Sequence, residues 1–229
     1  EVYTAIFSGI PNNGTVEGET VVAGNYYLAG NPYPSAINAD DFLEENKGIL
    51  EGTIEFWSHV TPPIYNVATG KYEYQSGDFL AYNATGSIGD FTGNYPLGII
   101  ASGQSVSVKV RNVIVFDSKI TFKNTMRLDL AGKNSQFFKP GKIVKSNTEK
   151  NCLWLNLTND KGVFKQTLLG YIEGATNGYE DKYDAISSSA ITNFYTINED
   201  ENYVIQGRKL HFKEKEIIKM NTNIPKIAY

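Results

Sequence analysis

The sequence predicts an all-β protein of antiparallel β-sandwich type, with one short helix near residues 39–46. Tyrosine and phenylalanine account for 15 and 12 of the 229 residues, and short aromatic and β-branched runs recur between Gly, Asn, Asp and Pro. This pattern is typical of strands joined by turns. Several runs also alternate apolar and polar residues, which places one strand face on a core and the other in water.

Ten segments carry the strand pattern. The clearest is Ser105–Val110, in which three valines alternate with Ser, Ser and Lys. The predicted strands are 53–59, 79–83, 105–110, 113–116, 119–123, 153–158, 164–172, 195–198, 203–206 and 209–213.

The one predicted helix covers Ala39 to Asn46. Asn38 is a favourable N-cap, and Asp40 and Asp41 fall in the first turn, where the helix dipole favours acidic residues. Gly48 follows the helix and is typical of a C-terminal stop.

Two lobes are predicted, because strand signals become sparse between Asn124 and Thr148 while Gly, Lys, Asn and Ser increase. We place the first lobe at residues 1–125 and the second at 126–229. A chain of this length can bury a core in each of two small domains or one core in a single large domain.

Composition excludes several classes of protein. The net charge is −4 and acidic and basic residues are mixed along the chain, so no basic face for nucleic acid is expected. No apolar run approaches the roughly 18 to 20 residues of a membrane span.

The first residues lack the pattern of a signal peptide, so we expect a mature protein or an internal fragment. The single cysteine, Cys152, excludes an internal disulfide and is predicted to be a small core residue.

The usual enzyme motifs are absent: the nucleophile elbow, the P-loop, the dinucleotide fingerprint and the His-Glu-x-x-His zinc motif. The two histidines, His59 and His211, lie in strand-like segments and are interpreted as strand residues instead of bases. We therefore predict no catalytic residues. A glycoside hydrolase with a carboxylate pair stays open as the least favoured alternative.

An acidic, glycine-containing segment is the candidate metal site. Asn177, Glu180, Asp181 and Asp184 supply the hard oxygen ligands that calcium prefers. The alternative interpretation is a solvated turn between strands. Calcium is the one cofactor that the sequence suggests.

Aromatic residues form the candidate ligand-binding surface. A platform for stacking sugars is predicted from Trp57, Tyr65, Tyr72, Tyr74 and Tyr82, which occur in a Tyr- and Gly-rich region. Core packing explains Trp57 equally well.

Seven segments form an ordered set of motifs: 30–42 (GNPYPSAINADDF), 52–57 (GTIEFW), 77–86 (GDFLAYNATG), 120–127, 134–139, 153–185 and 203–212. The glycine-containing elements GNPYPSA and GATNGY are specific in combination. In this order, the motifs resemble the region that precedes the C-terminal sorting domain in very large secreted and surface proteins of Bacteroidetes, such as flavobacterial adhesins. Residues 103–108 depart from the family, with GQSVSV in place of GQGFFV.

The resemblance implies export through the type IX secretion machinery and a location outside the outer membrane. It supplies no catalytic residues. The chain stops at Tyr229, where the resemblance leads us to expect a sorting domain to follow. The predicted function is a non-catalytic structural or adhesion module; the alternative is a lectin-like module that binds surface glycans, with or without calcium.

Overall fold

The structure is a computed structural model that describes residues 6, 8–58, 60–74, 78–128, 150–158, 164–187, 194–211 and 217–222. It confirms an all-β fold with one short α-helix. No helix in these residues is long and apolar enough to cross a membrane.

The strands are named β1 to β16 in chain order. They are β1 (Val16–Thr20), β2 (Tyr26–Gly30), β3 (Ile37–Asn38), β4 (Leu50–Trp57), β5 (Ile64–Asn66), β6 (Lys71–Glu73), β7 (Phe79–Tyr82), β8 (Ile99–Ile100), β9 (Ser105–Val110), β10 (Lys119–Phe122), β11 (Lys150–Thr158), β12 (Phe164–Ile172), β13 (Ala185–Ile186), β14 (Phe194–Asn198), β15 (Glu201–Lys209) and β16 (Lys219–Thr222). The helix α1 covers Ala39–Glu45, and a 3-10 turn covers Asn124–Met126.

The first lobe, named here as the described residues up to 128, contains a four-stranded antiparallel sheet in the order β2–β9–β4–β7. Three antiparallel pairs accompany it: β1 with β10, β3 with β8, and β5 with β6. The valines of β9 point inward and are almost fully buried, as the alternation predicted. They form one core with residues of β10 and of the helix. This layering is sandwich-like.

Helix α1 is held by contacts at both ends. The Asn38 side chain accepts hydrogen bonds from the backbone N–H groups of Asp40 at 2.8 Å and Asp41 at 3.2 Å, as its N-cap position predicted. At the other end, Asn46 is buried and exchanges hydrogen bonds with the backbone of Thr121 on β10. Phe42 lies between these ends and stacks on Phe122, with ring centroids 5.1 Å apart.

The second lobe, named here as the described residues from 150 onward, contains one six-stranded sheet. Its order is β11–β12–β15–β14–β16, and β13 also pairs with β15. Strands β12 and β15 run parallel, whereas its other pairs are antiparallel. Each sheet therefore lies within one of the two predicted lobes, and the boundary at residue 125 remains a prediction.

Two strand predictions differ from the structure. Residues 113–116 form a loop in which Val113, Val115 and Phe116 are exposed and Ile114 packs against the first core. They pair with no described strand, and β-branched residues need such pairing to favour a strand. The segments 203–206 and 209–213 were predicted as separate strands, but residues up to Lys209 belong to the single strand β15. Residues 212 and 213 lie outside the described residues.

Candidate functional site

Four of the five predicted aromatic residues are associated with the hairpin β5–β6. Tyr65 and Tyr72 are cross-strand partners whose ring centroids are 5.3 Å apart at an angle of 63°. Tyr74 follows β6 and packs edge-on against Trp57, with centroids 5.4 Å apart. The three tyrosines are 52%, 70% and 54% exposed in chain order. We name Trp57, Tyr65, Tyr72 and Tyr74 the aromatic ridge.

The hairpin below the ridge is ordered by a polar network. Glu73 accepts hydrogen bonds from the Asn66 amide at 2.9 Å and from the Thr69 hydroxyl at 2.7 Å. These two bonds hold the pKa of the Glu73 carboxyl below its usual value. The hairpin therefore presents its tyrosines on a constrained backbone.

Tyr82 does not belong to the ridge. It is paired with the fully buried Ile54 and packs against the first core. Its hydroxyl donates a 2.9 Å hydrogen bond to Asp40 on the helix, and burial raises the pKa of Tyr82. Tyr82 joins α1 to the sheet because strand alternation turns it to the face opposite Trp57.

The predicted acidic residues bind protein donors. Asp181 forms an ion pair with Arg111, and the Glu180 carboxylate accepts a hydrogen bond from the backbone N–H of Thr176 at 2.5 Å. The Asn177 carbonyl accepts the amide of Asn198 at 2.8 Å. Within the described ranges, no group of three or more His, Cys, Asp or Glu residues is placed to hold a metal ion. Calcium dependence stays a prediction.

Asp184 is the buried member of this set. One carboxylate oxygen accepts the backbone N–H of Glu180 at 2.6 Å and the other accepts that of Gly207 at 2.8 Å. Burial raises the pKa of Asp184 to about 6, although the two N–H bonds act in the opposite direction. Asp184 therefore joins the acidic segment to β15.

The turn after β7 joins the two lobes. Thr85 is buried and donates a hydrogen bond from its hydroxyl to the Tyr183 carbonyl at 2.6 Å. The neighbouring Ala84 donates its N–H to the Lys182 carbonyl and accepts the Lys150 ammonium at 2.6 Å. All three partners belong to the second lobe.

Two glycines of the second lobe make room for this turn. Gly170 and Gly207 are register partners in the parallel pair β12–β15. A Cβ on Gly170 would lie 2.5 Å from the Thr85 methyl, and a Cβ on Gly207 would lie 2.5 Å from the Cβ of Tyr183. No larger residue fits at either position without a shift of its neighbours. We name Thr85, Gly170, Tyr183 and Gly207 the lobe junction.

Apolar contacts extend the junction. Ala81 and Ile88 of the first lobe share a buried cluster with Leu168, Ala185, Val204 and Ile205 of the second. The Trp154 indole also donates to the Ser87 carbonyl at 2.9 Å. Residues of the first lobe therefore complete the core of the second.

The GNPYPSA segment has a comparable internal role. The amide nitrogen of Asn31 lies 2.9–3.1 Å from the carbonyls of Ser35, Ile100 and Ala101. Tyr33 is 1% exposed and donates its hydroxyl to the Gly14 carbonyl at 2.6 Å. This motif therefore binds the backbone of residues 100 and 101 and of Gly14.

The cysteine and the two histidines are the remaining residues that could take part in catalysis. Cys152 is half-buried against the second core, and burial raises the pKa of its thiol, which lowers the thiolate fraction at neutral pH. His211 is exposed, and His59 lies outside the described residues.

Sequence reasoning missed the lobe junction. A glycine inside a strand pattern often marks a close approach by another part of the chain. Gly170 and Gly207 each lie inside a strand-like sequence, and both belong to segments that carry the resemblance. The sequence therefore indicated a close approach at these two glycines. It could not identify Thr85 as the partner, because Thr85 and Gly170 are 85 positions apart in the chain (170 − 85).

One family model, described as a domain of unknown function (DUF8693), matches residues 1–228. No curated protein and no solved structure matches the chain.

Proposed function

We propose that this chain, which belongs to the DUF8693 family of domains of unknown function, is a non-catalytic structural module of an exported bacterial protein. The module is carried to the cell surface or the medium as part of a larger polypeptide. It acts there as a folded spacer with surfaces for adhesion.

The lobe junction is the observation that carries this proposal. Thr85, Gly170, Tyr183 and Gly207 all lie in segments that carried the resemblance, and their contacts are internal. Asn31 and Tyr33 of GNPYPSA also bind backbone carbonyls of their own lobe. Residues with these roles maintain shape and relative orientation, which a spacer requires.

Export is supported by the resemblance to modules that precede type IX sorting domains. The test is immunodetection of the parent protein on intact cells of the source bacterium, before and after treatment with an external protease. We expect a surface signal that the protease removes. A parent protein confined to the cytosolic fraction would contradict the proposal.

The absence of catalysis has a separate test. The purified chain is incubated with neutral and acidic polysaccharides, and newly formed reducing ends are measured. We expect no increase over the protein-free control. Reducing ends that form in proportion to protein concentration would favour the glycoside hydrolase alternative.

Carbohydrate binding is the second candidate, and the aromatic ridge favours it. Exposed tyrosine rings on a constrained hairpin offer apolar faces for sugar rings at a small entropic cost. The test is affinity electrophoresis in gels that contain a polysaccharide, with calcium or with chelator. Retardation that is lost in Tyr65→Ala and Tyr72→Ala but kept in Tyr82→Phe would assign binding to the ridge. Equal mobility in every gel would contradict this candidate.

A further inference from the structure

A crevice lies between the two lobes, apart from the aromatic ridge. Its floor is the outer face of β4 and β9, with Glu51, Glu55 and Lys109, and its opposite wall is the segment from Tyr179 to Ile186. A deep part of about 120 Å³ adjoins an outer part of about 650 Å³. Ligand sites occur preferentially between domains, which is where this crevice lies. We name this region the interlobe crevice.

Two half-exposed tyrosines supply apolar surface in the crevice. Tyr26 is the cross-strand partner of Lys109 and therefore stands on the same face of the sheet. Tyr179 approaches from the opposite wall, and its ring stacks at 6.3 Å on the buried Tyr203. Both rings combine an apolar face with a hydroxyl, which suits a ligand that has apolar and polar faces of its own.

Two ion pairs supply the polar groups. Lys109 binds Glu51 at 2.9 Å in the deep part, and Arg111 pairs with Asp181 along the outer part. Each pair sets a charged donor beside a charged acceptor. Neighbouring hydroxyls of a sugar donate and accept hydrogen bonds side by side, so they match this arrangement.

The charge of the deep part disfavours an anionic ligand. Its lining contains the carboxyl groups of Glu51, Glu55 and Asp184 but only one cationic side chain, Lys109. Burial raises the pKa of the Glu55 carboxyl, which indicates a site sheltered from water. A phosphate, sulfate or uronate group in the deep part would meet repulsion, whereas the outer part sets Lys109, Arg111 and Lys182 against Glu51, Glu180 and Asp181.

The sheet topology closes the two floor strands to an extended peptide. Strand β9 is paired with β2 and β4, and β4 is paired with β9 and β7, so a peptide could not add to either of them as a further strand. Strand β2 beside the floor and β13 on the opposite wall each pair with one described strand. Recognition by the floor itself must therefore come from side chains.

We propose that the interlobe crevice is a binding site for a short neutral oligosaccharide. Tyr26 and Tyr179 stack on sugar rings, and the Lys109–Glu51 and Arg111–Asp181 pairs bind neighbouring hydroxyls. The site goes beyond the structural function and does not depend on the aromatic ridge, with which it shares no residue.

The test is saturation-transfer NMR on the full chain, followed by titration. The neutral probes are cellohexaose, maltohexaose, mannohexaose and chitohexaose, and the anionic probe is hexagalacturonate. We expect at least one neutral probe to bind and the anionic probe to bind more weakly. Tyr26→Ala and Tyr179→Ala should each raise the Kd on the order of tenfold, from the loss of a stacking contact.

Matched variants locate the site. Tyr179→Phe keeps the ring and should retain most of the affinity, and Tyr72→Ala on the ridge should leave the Kd unchanged. The proposal is overturned if no neutral probe binds, if hexagalacturonate binds at least as tightly, or if only Tyr72→Ala weakens binding. None of these outcomes affects the surface-exposure test of the spacer function.

Discussion

Thr85 uses its two γ groups for different contacts. The hydroxyl donates to the Tyr183 carbonyl at 2.6 Å, and the methyl faces Gly170, where a Cβ would lie only 2.5 Å away. Packed interiors tolerate little added volume, so Gly170 is required by its neighbour and not by its own backbone conformation. Thr85 therefore fixes the lobe junction in two ways, by the hydrogen bond of its hydroxyl and by the space that its methyl occupies.

Gly170→Ala should destabilise the chain by about 1–3 kcal/mol, because the new methyl overlaps that of Thr85. Thr85→Ser removes the opposing methyl and keeps the hydroxyl. The double variant should therefore lose less stability than the sum of the two single variants. Urea denaturation of the four proteins measures this coupling.

Gly48→Ala is the control, since a Cβ at this position meets nothing within 4 Å. Its change in stability should stay within about 0.5 kcal/mol. Strictly additive effects of Gly170→Ala and Thr85→Ser would show that the two groups do not meet.

Asp184 predicts a pH dependence of stability. Its pKa is raised from 3.8 to about 6, so between these values the folded state binds more protons than the unfolded state. The contribution of Asp184 to the free energy of unfolding then falls as the pH rises from 4 to 6. The contribution of Asp184 is on the order of 3 kcal/mol.

Asp184→Asn removes this titration, so the difference in stability between variant and wild type should shift in favour of the variant from pH 4 to pH 7. Urea denaturation at intervals of half a pH unit measures it. Asp200→Asn is the control, because Asp200 lies in an exposed turn with a positive φ that Asn accepts. A pH-independent difference between wild type and Asp184→Asn would contradict the assignment.

At the scale of elements, the helix and the central strands follow from local pattern. Strand β9 was predicted with the observed bounds, and α1 was predicted to within one residue, because alternation and capping are local signals. Eight strands were not predicted: β1, β2 and β16, which have four or five residues, and β3, β5, β6, β8 and β13, which have two or three. Their pairing depends on partners that are distant or on turns without a typical sequence.

Helix α1 has seven residues and depends on its cap. Asn38→Ala removes the acceptor for the N–H groups of Asp40 and Asp41 and should cost about 1 kcal/mol. Asn38→Asp keeps an acceptor and should cost less, since an acid is also favoured near the N-terminus. Thermal denaturation compares the three proteins. Equal losses for both variants would contradict the capping role.

At the scale of the whole molecule, the lobes share a core. Ala81 and Ile88 lie among second-lobe residues, and Thr85 binds the second-lobe backbone. Burial of this kind couples the unfolding of one part to that of the other. We therefore expect the two predicted lobes to unfold together.

The two tryptophans report on this coupling, because Trp57 lies on β4 and Trp154 on β11. Trp57→Phe leaves a tryptophan only in the second lobe, and Trp154→Phe leaves one only in the first. In each variant, the fluorescence transition in urea should coincide with that of far-UV circular dichroism. Fluorescence midpoints that differ from the dichroism midpoint would indicate lobes that unfold independently.

Local sequence patterns were sufficient for the all-β class, the helix with its cap and most long strands, because alternation and capping act over a few neighbouring residues. Which aromatic residues lie near one another followed instead from the packing of strands that are distant in the chain. This packing separated Tyr82, which faces the core, from the ridge. It also placed Thr85 against Gly170 and brought Tyr26 opposite Tyr179 across the crevice. These contacts depend on strand order and on the packing of two lobes, which join residues far apart in the chain.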